Sequence, residues 1–209
     1  MRLAMALGTR GKKAAATKRT LLDAALNVMS REGYAEATID QIAKEAGVSK
    51  GLAYYHFKSK GEIATEILEN GINDLIDRFV QETERAQSGS DALKRMLKAF
   101  AEVVVGNWQF ARFYLSVIWR EGRDWSDKIH EVDTRLIAII AKQFARGQED
   151  GSFAADLDPE FCAVACIGTV FTTALRYFGI DNEDKPAMSK EEYTSKVSKL
   201  VMRSSTAKA

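Results

Sequence analysis

The sequence predicts an all-α fold in two parts, a small helix-turn-helix unit at the amino end and a longer helical remainder. Three observations carry that expectation. Apolar residues recur at spacings of three and four in segment after segment, the pattern of one buried helix face. Capping signals open several of those segments. Only two prolines interrupt 209 residues of which 46% are apolar, so the chain can bury an ample core in one large unit or two smaller ones.

The elements follow in order. The start, MRLAMALGTRGKKAAATKR, is basic but has too little apolar length for a signal peptide, and residues 1–14 are expected as a flexible basic arm. Thr17 to Arg31 reads as a helix with Leu21, Leu22, Ala25, Leu26 and Met29 on one side, ended by Gly33. Tyr34 is expected to pack beneath the next two helices. Thr38, with Gln41 three residues on, has capping-box spacing and opens a helix to Ala46 with Ile39, Ile42, Ala43 and Ala46 inward. Gly47 can take positive φ and stop it. Val48 is a plug between the helices, and Ser49 caps a second short helix, Lys50 to Phe57. Helix, glycine turn, helix is the helix-turn-helix arrangement, and residues 15–62 form this unit.

The second short helix carries the chemistry. Lys50, Tyr54, Tyr55, His56, Lys58 and Lys60 fall within one acid-free stretch. Such a helix fits a DNA major groove about 12 Å wide. Lys50 at its start reaches base edges or phosphate, tyrosine hydroxyls bond phosphate oxygens, and Gly51 allows close backbone approach. Charge distribution agrees. Residues 1–60 hold eleven Lys/Arg against five Asp/Glu, whereas the whole chain is only +1, so the basic end is the one that meets a polyanion. A solvated basic helix with one buried aromatic face is the blander alternative, and it leaves the agreement of cap, turn and charge unexplained.

These residues resemble the DNA-binding signature of the tetracycline-repressor (TetR) family of bacterial transcription regulators. The matching elements are Thr38, Ile42-Ala43, Ala46-Gly47-Val48-Ser49-Lys50-Gly51, Tyr54-Tyr55-His56-Phe57 and Lys58-Ser59-Lys60, over about residues 15–65. The resemblance implies that Thr38, Lys50, Gly51, Leu52, Tyr54, Tyr55, His56 and Lys60 face an operator, with Ser49 beside them as the cap. It also implies a homodimer on a palindromic double-stranded site and a small effector whose binding releases DNA. Ala53 stands where a larger aliphatic is common. Gly61 replaces a usual acidic residue, at roughly 1 kcal/mol of helix propensity.

Further along, Ser59 and Glu62 open a long helix, Lys60 to Ala86, with Leu68, Ile72, Leu75, Ile76 and Phe79 buried. It joins both parts of the chain. QSGSD at 87–91 breaks the pattern, with Ser90 as expected cap of a helix from Asp91 to Val105. After Gly106-Asn107 an aromatic helix runs to near Gly122. Ser126 caps Asp127 to Arg146, and 147–155 is a loop. Asp158-Pro159 starts a helix to Phe178 that is apolar nearly all round. Burial on every side is expected there, with a second subunit supplying part of it. After a polar loop at 179–188, Ser189 and Glu192 open a last helix to Met202. The last two helices, about 159–178 and 189–202, are expected to form a four-helix homodimer interface. Residues 63–203 are thus regulatory and dimerising, and 204–209 a disordered tail.

Trp108, Phe110, Phe113, Tyr114, Trp119, Phe144, Phe171 and Tyr177 are candidates for lining an effector pocket for an apolar or aromatic molecule, against the simpler reading that they are core. Arg112, Gln109, Arg176 and His130 are candidates for orienting it. Cys162 and Cys166 lack the second ligand pair of a structural zinc site and read as reduced thiols in a cytoplasmic protein. No GxSxG, HExxH or glycine-rich phosphate loop occurs, so neither catalysis nor a cofactor is expected. No uncharged apolar run approaches 18–20 residues, and no membrane span is expected. Two alternatives remain open: a DNA-binding module without an effector, and a helical small-molecule-binding or interaction protein that does not use DNA.

Overall fold

Capping residues and apolar stripes set nine helices among the described residues. The computed structural model describes residues 2–118, 126–179 and 188–205, with side chains from Lys13 onward. The helices are α1 (Arg2–Glu32), α2 (Ile39–Glu45), α3 (Lys50–His56), α4 (Lys60–Glu84), α5 (Gly89–Gly106), α6 (Trp108–Ile118), α7 (Ser126–Glu149), α8 (Pro159–Phe178) and α9 (Lys190–Ser205).

Helix α1 starts far upstream of Thr17, so the segment expected as an arm continues the helix. Its Ala, Leu, Met, Lys and Arg are the best helix formers, and each of Gly8 and Gly11 costs only about 1 kcal/mol. Leu21, Ala25, Val28 and Met29 are buried against Ile42 and Ala43 of α2 and Ala53 and Phe57 at α3. Gly33, at φ 89°, then turns the chain. Helix α4 belongs to both parts. Ile63, Ala64 and Leu68 pack under the first three helices, and Leu75 and Phe79 lie in the larger core. The ammonium of Lys18 ties α1 to α4 through Glu66 at 2.6 Å.

The larger part is built around α5, which packs against α4, α7, α8 and α9. Its cap is Ser88, not Ser90: the Ser88 hydroxyl accepts from the Asp91 N–H at 3.1 Å. Starting two residues earlier places Gly89 against α7, where a Cβ would lie 2.2 Å from the Gly147 nitrogen. The Gly89 N–H donates to Asp150 Oδ2 at 2.6 Å. Because Gly147 belongs to that crossing, α7 continues past Arg146 to Glu149, and Gly151 at φ 75° makes the turn. Trp119, Gly122, the loop at 180–187 and the tail at 206–209 lie outside the described residues.

Helix α8 departs from expectation in an informative way. Ala163, Cys166, Val170, Phe171 and Ala174 are buried, but Phe161 is 72% exposed, Val164 49% and Leu175 40%. Within one subunit the helix is covered on one side only. By length and hydropathy α8 is apolar enough to cross a membrane. It is nonetheless packed among α5, α6, α7 and α9, and the Tyr193 hydroxyl of α9 donates to its Val170 carbonyl.

Candidate DNA-reading surface

The helix-turn-helix is held by reciprocal caps. Thr38 Oγ1 accepts from the Gln41 N–H at 3.2 Å, and Gln41 Oε1 accepts from the Thr38 N–H at 2.8 Å. The Gln41 amide also donates to Glu32 at 2.8 Å, fastening α2 to the end of α1. Gly47 takes φ 67°, and the Val48 N–H closes the turn on the Ala43 carbonyl at 3.0 Å. Ser49 Oγ then accepts from the Leu52 N–H. Satisfying these end groups matters because seven-residue helices are unstable alone and each good cap contributes about 1 kcal/mol.

Only Ala53 of α3, with Phe57 just beyond it, is fully buried. The small side chain at 53 lets α3 sit close on the core, which accounts for that departure from the family pattern. Lys50, Gly51, Leu52, Tyr54, Tyr55 and Lys58 face outward. Tyr55 is the most exposed of the large ones, at 80%, with its ring at an edge angle to half-buried His56. Thr38 and Ser49 are exposed too, with their hydroxyls engaged in caps.

Two lysines are already engaged. Lys50 Nζ lies 2.6 Å from Asp40 Oδ2 and over the Tyr54 ring at 5.9 Å. The hydrogen bond and charge of Asp40 raise its pKa above the ordinary lysine value. Asp40 was outside the acid-free stretch that drew attention to α3, although its position in the first turn of α2 is legible. Lys60 corrects the expectation of an operator-facing side chain. Its ammonium donates to the carbonyls of Ala35 at 2.7 Å and Ala37 at 2.8 Å, and lies 4.7 Å from the centre of the Tyr34 ring. Those carbonyls follow the end of α1 and need donors. Lys60 therefore braces the loop behind the reading surface. Similarly, Glu62 reaches the Lys58 N–H, while its own N–H is accepted by Ser59.

The aromatic residues of the larger part form no open pocket. Phe110, Phe113, Tyr114, Phe144 and Phe171 are buried core. Phe171 stacks on Tyr114 at 4.8 Å and meets Phe100 edge-on, and Phe100 meets Phe79 in the same way. The Tyr114 hydroxyl donates to Asp133 at 2.6 Å; burial and then the Asp133 charge push its pKa up. Trp108 and Tyr177 are half-buried, and Trp119 is outside the described residues. Gln109 and Arg112 line an open cleft of about 420 Å³ with Trp108 and residues of α1 and α2. His130 lines a groove between α7 and the start of α8, and Arg176 is exposed. A roomier cleft, about 1060 Å³, lies between α5 and α9 and is polar, with Lys94, Lys98, Lys190 and Lys199 on its walls. Cys166 is buried and its thiol pushed up to about 12, mainly by that burial. Such a thiol is inert. Among the described residues no group of three His, Cys, Asp or Glu is placed to hold a metal.

Nine helices, the amino-terminal three closing on a braced helix-turn-helix with a polar outward face, define a helical DNA-binding regulator. The model of bacterial regulatory proteins of the tetR family matches residues 21–67. The chain is 33% identical over 114 residues to the HTH-type transcriptional regulator TtgW of Pseudomonas putida, covering 54% of this chain and 81% of that one. Its fold is that of FadR from Bacillus subtilis, solved in complex with stearoyl-CoA (TM-score 0.77, 20% identity, 88% and 97% of the two chains). It is also that of AibR, solved in complex with isovaleryl coenzyme A and operator DNA (TM-score 0.74, 14% identity, 88% and 97% covered). The chain belongs to the TetR family and is a transcriptional regulator.

Proposed function

We propose that the protein is a homodimeric, cytoplasmic repressor in which residues 15–62 read a palindromic operator and residues 63–203 dimerise and respond to an effector. The observation that carries the reading is the outward face of α3: its polar and aromatic side chains are exposed while its inner side is sealed on α1. Lys50, Gly51, Leu52, Tyr54, Tyr55 and His56 make the groove contacts, and Thr38 and Ser49 contribute through the helix ends they cap. Two such helices sit in successive major grooves, about 34 Å apart. The exposed apolar side chains of α8, with Leu200 of α9 at 59%, are the surface that a second subunit covers.

For the effector, the acyl-thioester complexes of FadR and AibR support an acyl-coenzyme A. Because the aromatic side chains of this chain are packed on one another, binding requires that the core open. It therefore acts by shifting the population away from the DNA-binding arrangement. The same packing favours a second reading, a regulator that needs no effector.

The experiment is selection of genomic fragments from the source organism by purified protein at ~150 mM salt, where nonspecific phosphate binding is suppressed. A few fragments sharing one palindrome are expected. Isovaleryl-CoA and stearoyl-CoA are then titrated into the complex. Release by either supports the effector reading, and indifference to both favours the second. Fragments without a common sequence overturn the operator reading.

A further inference from the structure

Two aromatic side chains in the first turn of α6 are seated on glycines of other helices. Trp108 lies against Gly179, the cap residue at the end of α8, where a Cβ would meet the indole at 2.0 Å. Phe110 lies against Gly71 in the middle of α4, where a Cβ would meet the ring at 2.2 Å. Two residues apart on a helix, they point to opposite sides of it, since each residue turns about 100°. The start of α6 is thus a strut wedged between α8 and α4.

Trp108 also reaches the reading head. It lines the cleft of about 420 Å³ whose other walls are Asn27, Ser30 and Arg31 of α1 and Glu45 of α2, and α6 packs along α1. Arg31 and Glu45 are themselves paired across α1 and α2 at 3.7 Å. One indole therefore stands between the end of α8 and the first two helices of the reading head, on a path that does not run through α4. Indole is well suited to this, being large and having only two rotatable bonds.

We propose that Trp108 is a positioning residue that sets the angle of the reading head against α8, and so the half-site spacing a dimer accepts. The inference rests on the homodimer through α8 and α9 proposed above. Removing the indole frees the head to settle at several angles. Adding a methyl at Gly179 displaces the indole and moves the head to one different angle.

The test uses the selected palindrome with its half-sites moved apart or together by one and two base pairs, and binding measured on the full chain. Wild type is expected to prefer one spacing by about a hundredfold, the scale of one or two mismatches. In Trp108→Ala that preference falls at least about tenfold, with dimer mass and melting transition retained, and Trp108→Phe keeps most of it. Gly179→Ala shifts the preferred spacing. The double variant behaves as Trp108→Ala alone, because no indole remains to be displaced. A dimer in which Trp108→Ala and Gly179→Ala keep the wild-type spacing ratios overturns the inference and leaves the dimer reading standing. Should Trp108→Ala not fold, an unchanged ratio in Gly179→Ala overturns it equally. A wild-type chain that sediments as a monomer removes the dimer reading and the inference together.

Discussion

Replacing Gly51 by alanine separates what the fold needs from what the proposed operator complex needs, because the two effects have opposite sign. Gly51 is the second residue of α3, its φ is unexceptional, and a Cβ there meets nothing within 4 Å. In the free protein the substitution removes only the entropic penalty of glycine in a helix, roughly 0.5–1 kcal/mol. For a chain of this size that raises the melting temperature by about 1–4 °C. On the duplex the same methyl lies on the face that carries Lys50 and Tyr54, where backbone and DNA are proposed to approach closely. Holding α3 off by a methyl's width weakens several contacts at once, and at least about 1.4 kcal/mol, a tenfold loss, is expected. Differential scanning calorimetry reads the first effect and fluorescence anisotropy on the selected operator, at ~150 mM salt, reads the second. Unchanged operator affinity in Gly51→Ala would falsify the close approach. A lowered melting temperature would show that the space beside Gly51 is not free.

Other substitutions probe the supporting structure. Lys60→Met leaves the Ala35 and Ala37 carbonyls without their donor. It should destabilise the fold by about 1–3 kcal/mol in urea titration. The salt dependence of DNA binding by the folded fraction should not change, whereas loss of a phosphate contact would reduce that slope by about one ion. Gly89→Ala forces a Cβ against backbone atoms of α7, which cannot rotate away. A loss of about 3 kcal/mol or more is expected by denaturant titration, since overpacking against side chains alone costs 1–3. Asp150 has its carboxyl held below the ordinary value of 3.8, first by Ser152 and then by the Gly89 N–H. Its folded pKa is the lower one, so its stabilisation is present above the ordinary carboxylate range and is lost as pH falls through it. Asp150→Asn should lower the melting temperature at pH 7 and flatten its decline between about pH 5 and 3; an unchanged acid slope would refute the assignment.

Much of the fold was legible because its signals are local. Thr38 with Gln41, Ser49, Ser59, Asp158 and Ser189 each cap a helix through bonds to residues two or three positions on, and a sequence displays such spacings directly. What misled were features set by distant partners. Ser90 is as good a cap as Ser88 until Gly89 is seen to need contact with Gly147, 58 positions away in sequence. Lys60 reads as one of a row of surface cations. Only the fold brings it to the carbonyls 23 and 25 residues earlier. Aromatic residues at helical spacing announce burial but not whether their rings enclose space. Phe171, Tyr114 and Phe100 fill it with one another. The apolar circumference of α8 was plain, while its division into a covered and an open side depends on which helices lie beside it.

Helix α4 is one unbroken rod of 25 residues, about 37 Å at 1.5 Å per residue. Phe110 bears on it at Gly71, so the rod is divided near its middle, into arms of roughly 16 and 20 Å. A beam pivoted so near its centre neither magnifies nor diminishes what it receives. Tilting it by 5° moves each end by about 1.5 Å, in opposite directions. That is about one sidestep of a methyl group at the core end, and the same distance at Ser59, where the reading helix hangs. Two copies displaced in this way change the separation of their recognition helices by about 3 Å, close to the 3.4 Å rise of a single base pair along the duplex.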